Sequence, residues 1–432
     1  MDGGEKRRVA IACQGGGSHT AFTAGVLSRL LRAEELDAYR VVGFSGTSGG
    51  AICALLAWNT VRDGTPARAG EVLKGFWADN AASTPAEALV NIWSVGAATM
   101  QSLGLLPVVS PYAAPVTGVE QFRELLERWV DFSRIDVDPT GHHALFVVGA
   151  VDVLTGKFRA FHSRRDRVTA DVILASAAIP TLFRAVHIGE GVYWDGLFSQ
   201  NPPVRELLDA EPDELWVIQI NPTERDSEPR GVLDIADRRN ELSGNLSLYQ
   251  ELHVIEKINE LLAEGLLQPG GKYKQVVVRV IELARSRLSR LLGPASKLNR
   301  APAFIAELIA QGERQAEEFL TALTFEQRWR RGDIDALLRS FADDVKLTSA
   351  APFPQRGPLR GEQVREFVRE DLAQVRMDLT HKQLARDRVV WSVQTRTSGA
   401  DATAPAAVSG RAEAEFRDGR LVRLRLDAPP TR

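Results

Sequence analysis

Cysteine is nearly absent: 432 residues contain two, Cys13 and Cys53, each inside an apolar run. That scarcity excludes a disulfide framework and a cysteine-built metal site, so both thiols read as small buried hydrophobes. Charge of one sign is lacking too. The balance of 53 Lys and Arg against 56 Asp and Glu leaves a net charge of −3, too little to gather nucleic acid or anionic lipid by a global field. Long hydrophobic runs are also missing, and no window reaches the ~18 apolar residues of a membrane-spanning helix. Lys6, Arg7 and Arg8 precede an apolar stretch, but it ends after residues 9–13 at Gln14 and three glycines. A secretion signal needs roughly 7–15 apolar residues, so the expectation is a soluble cytoplasmic protein.

What is present alternates. Residues 9–13 and 41–44 are short apolar runs that read as buried strands, and 21–32 carries Phe22, Val26 and Leu30 at helical spacing. Residues 51–58 are apolar all round, as in a buried helix. This order predicts an α/β fold with a mostly parallel sheet. Between about 65 and 118 the strand signal fades among alanines, Trp77, Trp93, Met100, Leu103, Leu105 and Leu106, closed by Pro107, Pro111 and Pro115. We read it as a helical cap. Strands are expected again at 144–151, 157–161, 215–220 and 275–281, helices near 204–208, 248–262 and 304–319, and a mobile loop at 224–231. Near residue 321 the character changes. A helix pair is expected over 329–345, broken at Gly332-Asp333, then a Pro/Gly-rich loop (351–361) and a further helix. Strands near 377–384, 389–397, 407–416 and 421–426 follow. Helices followed by an antiparallel sheet are a different class from the first part, which places domains at 1–320 and 321–432.

Three motifs carry chemistry. Gly46-Thr47-Ser48-Gly49-Gly50 lies between a strand and a helix, where flanking glycines permit the sharp turn that exposes a serine at a helix N-terminus. A tight turn with a capping serine is the plainer alternative. Gly15-Gly16-Gly17-Ser18 offers unobstructed backbone N–H groups, which suits an oxyanion hole or a phosphate cradle. A dinucleotide fingerprint would need glycine where Thr20 stands. Asp195-Gly196 follows the short apolar strand of Tyr193 and Trp194, and also suits simple turn chemistry.

Together these motifs, with Ala175-Ser176-Ala177-Ala178-Ile179-Pro180 and Phe183, resemble the patatin-like phospholipases over roughly residues 7–320. The resemblance implies a three-layer α/β/α sandwich and a carboxylic ester hydrolase acting on lipid or acyl-ester substrates. It implies a Ser48–Asp195 dyad, an elbow formed with Gly46 and Gly50, and an oxyanion hole at Gly15, Gly16, Gly17 and Ser18. No metal or organic cofactor is called for. Two departures stand out: Ser18-His19-Thr20 replaces the family's basic residue and glycine, and Leu197 follows Asp195-Gly196 where the family has glycine or alanine. An ordinary Ser-Asp-His triad fits less well, because only His253 and His381 follow Asp195, one on an expected helix and one in the second domain.

Residues 322–432 resemble the SnoaL-like branch of the nuclear-transport-factor-2-like (NTF2-like) fold. The resemblance rests on Trp329 through Leu337, Phe341 through Val345, 357–367 and the terminal strands. It implies an α+β cone that binds a small ligand or pairs two copies into a homodimer. His381 and Asp387 are too isolated to form a catalytic set there. Trp93, Met100, Leu103, Leu105 and Leu106 suit an acyl pocket, peripheral contact with a membrane, or plain packing. Arg285, Arg287 and Arg290 with Leu288, Leu291 and Leu292 suit phosphate headgroups or a solvated helix face. The rival functions are a small-acyl esterase or thioesterase, and an inactive hydrolase that binds a ligand in the cone.

Overall fold

The computed structural model describes residues 6–428 except 103–104, 108–109, 114–116, 181, 226, 271–272, 284–291, 293, 355, 373–374, 386–387, 398–407 and 418. Two compact units emerge. The first comprises Met1–Val276 and Arg285–Ala316, the second Val277–Ala284 and Glu317–Arg432.

The first unit is a three-layer α/β/α sandwich built on β1 (Arg7–Cys13). Every residue of β1 from Val9 onward is buried, as a central parallel strand requires. It pairs in parallel with β2 (Tyr39–Gly46) and with Glu214–Gln219, the seventh strand. Between β1 and β2 runs α1 (Ala21–Leu30), and after β2 comes α2 (Gly49–Arg62), which packs on β1, β2 and the next strand. The helices α3 (Ala69–Asn80), α4 (Pro85–Ser102) and α5 (Thr117–Trp129) follow. Leu73, Phe76 and Trp77 bury α3 against α1 and α2, whereas α4 leaves most of its apolar side chains in solvent. The sheet continues with β3 (Leu145–Asp152), parallel to β2, and then turns antiparallel. In that part β4 (Phe158–His162) and β6 (Gly191–Asp195) both pair with β3, and β5 (Val186–Ile188) pairs with β6. The short helix α6 (Ala170–Ser176) packs on β3. The seventh strand, β7, leads to the long helix α7 (Val232–Ala263).

The second unit begins with β8 (Val277–Glu282), continues from within α8 (Pro302–Arg330), and adds α9 (Ile334–Arg339), β9 (Phe341–Ser349), β10 (Arg356–Arg360) and α10 (Glu362–Glu370). The strands β11 (Val375–Ala385), β12 (Arg388–Thr397), β13 (Val408–Arg417) and β14 (Arg420–Asp427) complete it. The order is β10-β9-β14-β13-β12-β11-β8, with β8 joining β11 in parallel at one end. Phe325 of α8 fills the concave side, its ring 5.8–6.3 Å from those of Phe341, Trp391 and Phe416. This is the α+β cone.

Several local expectations need correction. Residues 204–208 form no α-helix; Arg205–Ala210 is a 3-10 turn. The second helix of the 329–345 pair stops at Arg339, because Val345, Leu347 and Ser349 alternate inward as a strand. Asp333 does cap that helix, its side chain accepting the Ala336 N–H at 2.9 Å. The loop at 351–361 contains a strand, β10, and the three-residue β5 gave too short a pattern to read. Leu103, Arg285, Arg287, Leu288, Arg290, Leu291 and Asp387, and the side chain of His381, lie outside the described residues.

A buried ion pair ties β8 into the second unit. Arg279 meets Glu326 of α8 at 2.5 Å with both side chains at most 2% exposed, and Trp391 Nε1–H donates to the same carboxylate. Removing one charge from such a pair costs far more than removing both. Glu326→Gln keeps the acceptor for Trp391 but removes the charge facing Arg279, and is expected to destabilise the second unit by about 3–5 kcal/mol. Adding Arg279→Met should recover most of that loss. Denaturant unfolding of both variants measures this, and equal losses in the single and the double variant would contradict it.

Candidate active site

At the end of β2 the chain passes through Thr47 into Ser48, which holds φ 57° and ψ −133° as the N-cap of α2. A non-glycine residue there is strained, by roughly 1–3 kcal/mol. The neighbours accept the sharp turn because they lack side chains. A Cβ on Gly46 would stand 2.6 Å from the Ala51 Cα, and one on Gly50 would collide with the carbonyl oxygens of Cys13 and Gln14. The Ser48 N–H donates to Ser176 Oγ at 3.0 Å, and Ser176 Oγ donates to the Gly149 carbonyl at 2.6 Å. Through Ser176, α6 and β3 thus hold the turn.

Beside the turn, after β1, runs the glycine loop. The Gly15 N–H donates to Asn201 Oδ1 at 2.7 Å and is therefore occupied. Gly16, Gly17 and Ser18 open a 3-10 turn (Gly17–Thr20), and their N–H groups make no hydrogen bond among the described residues. Gly17 has φ 58°, and a Cβ there would meet the Lys297 carbonyl oxygen at 2.5 Å, so glycine is required twice over. The His19 side chain does not join the open donors. It is buried, with Nε2 2.8 Å from Ser296 Oγ and its ring edge-on to Phe304. Burial first, then the nearby Lys297, lowers its pKa to about 3 against the opposing pull of Asp237, so it is neutral.

Asp195 ends β6 and is fully buried. Its Oδ1 accepts the Leu197 N–H at 2.8 Å, so the residue replacing the family's small one supplies a backbone donor that any residue but proline could supply. The other oxygen, Oδ2, is buried without a hydrogen-bond partner. Burial pushes the Asp195 pKa up to about 7, opposed by the Leu197 N–H and by the Ser48 hydroxyl. Ser48 therefore lies within electrostatic reach of the carboxylate without a well-aligned hydrogen bond, a common state before substrate arrives. His253, the candidate third member of a triad, is exposed on α7 and faces Glu256 at 3.9 Å.

Sequence reasoning missed the supports. Asn201 clamps the glycine loop, accepting from the Gly15 N–H and donating to the Gly15 carbonyl. Gln14 spends its whole amide, donating to the Asn201 carbonyl and Asn245 and accepting from the N–H groups of Ile220 and Asn221. Thr47 Oγ1 donates to the Gln200 carbonyl at 2.9 Å, joining the elbow to the turn after Asp195. Polar residues directly beside the motifs were the available signal.

Residues 11–208 match the family model of patatin-like phospholipases, and residues 322–424 match that of SnoaL-like domains. No curated protein matches the chain. Among solved structures, an NTF2-like protein of unknown function from Mesorhizobium loti is similar at 18% identity, covering 26% of this chain and 90% of its own, with a TM-score of 0.22. An NTF2-like protein of unknown function from Cytophaga hutchinsonii is similar at 10% identity, 26% and 90% coverage, and a TM-score of 0.22. A putative polyketide cyclase from Sinorhizobium meliloti is similar at 16% identity, 26% and 94% coverage, and a TM-score of 0.21. The chain carries a patatin-like phospholipase domain followed by a SnoaL-like domain.

Proposed function

We propose that this protein is a serine lipid acyl hydrolase of the phospholipase A or esterase type, working through a Ser48–Asp195 dyad and an acyl-enzyme. The patatin-like domain supports a lipid hydrolase. The finer reading is carried by one observation: a buried carboxylate with an unpartnered oxygen, Asp195 Oδ2, within reach of a serine held at φ 57°.

In this mechanism Asp195 Oδ2 takes the Ser48 proton while Oγ attacks the ester carbonyl. The N–H groups of Gly16, Gly17 and Ser18 receive the developing oxyanion, each such donor being worth about 3–4 kcal/mol in a transition state. Collapse expels the alcohol, which takes the proton back from Asp195. Water then attacks the acyl-enzyme as Asp195 removes its proton, the carboxylic acid leaves, and Ser48 regains its hydrogen. No imidazole is needed, because a carboxylate raised to about 7 is already matched to this work near neutral pH.

Surface contact with lipid belongs to the same proposal and is supported by α4. Its Asn91 is buried and bonded to Asn299 and the Arg300 N–H, while Leu89, Val90, Ile92 and Trp93 are 58–74% exposed. The helix turns a polar residue inward and its apolar ones outward, as an interfacial helix does. Among the described residues no helix is long and apolar enough to cross a membrane.

Ester hydrolysis and labelling by a fluorophosphonate test the dyad. Ser48→Ala is expected to abolish both, Asp195→Asn to lower kcat by at least ~10²-fold, and His253→Ala to leave turnover unchanged. A wild-type protein that neither labels nor turns over would overturn the reading, and an inactive but folded His253→Ala would replace the dyad with a triad.

The pH profile carries its own sign. The base must be ionised, so kcat/KM should rise tenfold per pH unit below about 7 and level off above it. Stability runs the other way. A folded pKa of about 7 lies above the ~3.9 of an unfolded aspartate, so this group's contribution is complete below pH 4 and is lost as pH rises through 7. Asp195→Asn should therefore match the wild type near pH 4 and exceed it at pH 8, by at most about 4 kcal/mol. Thermal or denaturant unfolding across that range checks it, and a constant difference between the two proteins would count against a raised Asp195.

Trp93→Ser is expected to weaken co-sedimentation with phosphatidylcholine vesicles several-fold while hydrolysis of a soluble p-nitrophenyl ester stays unchanged. Unaltered sedimentation would remove α4 from the membrane contact.

A further inference from the structure

Consecutive glycines cannot hold their own donors in place. Glycine has the largest backbone freedom of any residue, and an oxyanion hole works only when its N–H groups are fixed before the charge develops. At its front the loop is fixed by Asn201, which grips Gly15, and by Gln14, which reaches Asn245 of α7. The open part, Gly16 to Ser18, has a different support. The 3-10 turn Pro294–Leu298 lies against it as a strap. The Lys297 carbonyl oxygen occupies the place that a Gly17 side chain would take, and Ser296 Oγ meets His19 Nε2 at 2.8 Å.

The strap is anchored on two sides. Beyond its C-terminal end, Asn299 and the Arg300 N–H bond to Asn91 of α4, contacts made by uncharged groups. The other anchor is ionic. The Lys297 ammonium reaches Asp237 Oδ1 of α7 at 2.6 Å, with Glu241 at 3.9 Å, and both carboxylates are buried. Arg225 lies 2.9 Å from each of them, and Arg238 lies 3.2 Å from Glu241. Each carboxylate would therefore keep a cation without Lys297. Neutralisation is not what the Lys297 contact adds; it adds a fixed distance between α7 and the strap.

That distance matters because α7 is also the frame of the dyad. Its Glu251 accepts the N–H groups of Val204 and Arg205 and the Gln200 amide, just after the Asp195 turn. One helix thus holds the base on one side and the strap behind the oxyanion donors on the other. Where the resemblance calls for a basic residue inside the glycine loop, this chain has the neutral His19, and a cation stands in the strap instead.

We propose that Lys297 is a positioning residue for the oxyanion hole: its ion pair with Asp237 sets the strap against α7, and its backbone carbonyl then fixes Gly17 and the open N–H groups beside it. This rests on the reading of the domain as a serine hydrolase.

Steady-state hydrolysis of p-nitrophenyl butyrate by the full chain, paired with denaturant unfolding, tests it. Lys297→Met is expected to lower kcat by about 10- to 100-fold. KM should stay within about twofold, because a displaced oxyanion donor is missed in the transition state and not in the bound ester. Lys297→Arg keeps a cation opposite Asp237 and should retain most of kcat. Adding Asp237→Asn to Lys297→Met leaves Glu241 paired with Arg225 and Arg238. This double variant should regain the stability that Lys297→Met loses, while kcat stays low, and it carries the test if Lys297→Met alone does not fold. An unchanged kcat in Lys297→Met, a raised KM with kcat intact, or kcat returning with stability in the double variant would overturn the proposal and leave the dyad standing. So would a loss in Lys297→Arg as deep as in Lys297→Met. A wild type without turnover would overturn the hydrolase reading and this proposal with it.

Discussion

A carboxylate buried from solvent, with no hydrogen-bond partner for one of its oxygens, is the constraint around which the first unit is organised. The burial of Asp195 would be hard to sustain if it were ionised at every pH, and its pKa near 7 lets the proton relieve the cost. The surroundings supply little further relief. The Leu197 N–H stabilises one oxygen, and two amides of the same region are committed elsewhere, Gln14 to four partners and Asn201 to the Gly15 backbone. A buried polar atom left unpaired beside neighbours this well satisfied costs stability, and the proposed dyad gives that cost a use.

That arrangement depends on rigidity in three chain segments that meet at Ser48. Strain at φ 57° persists only where the surrounding structure fixes it. Here α2 is buried nearly all round, so the turn at its N-terminus cannot relax by moving the helix. The Ser176 hydroxyl satisfies the Ser48 N–H and is in turn fixed to Gly149. From the far side, Glu251 of α7 accepts the N–H groups of Val204 and Arg205 and the Gln200 amide, and Gln200 accepts from Thr47. The elbow, the Asp195 turn and α7 are therefore one hydrogen-bonded assembly. Parallel β1 and β2 and the antiparallel β6 end at this place, although 147 positions separate Ser48 from Asp195.

The parts of this assembly that were legible in the sequence are those dictated by sterics. Glycines at 15–17, 46 and 50 announce close approach of backbone, and apolar runs at 9–13 and 41–44 announce central strands, because few other residues tolerate those environments. The supports were not legible. Asn201, Gln14 and Ser176 stand beside or within the motifs, but they act through hydrogen bonds spanning 128–207 positions, and nothing local names their partners. Residues 341–345 misled for a different reason: Phe341 and Val345 fit a helical spacing of four as well as a strand, and only pairing with β14 and β10 decides. The 3-10 turn at 205–210 was misread because a single turn carries too few apolar positions to show its period.

The outer surface obeys the same logic as the dyad. Burying a Leu, Ile or Trp side chain yields roughly 1.5–3 kcal/mol, and α4 could collect that several times over by rotating about its axis. Instead it buries Asn91, whose oxygen accepts the Arg300 N–H and whose amide donates to Asn299. Those two bonds net only about 0.5–1.5 kcal/mol each. A helix that keeps the weaker arrangement in water gains from its outward face in another medium. Under the proposed reading as a lipid acyl hydrolase, that medium is the lipid itself. Both the unpaired oxygen of Asp195 and the exposed ring of Trp93 are unfavourable in the isolated protein, and the proposed reading as a lipid acyl hydrolase gives each of them a partner.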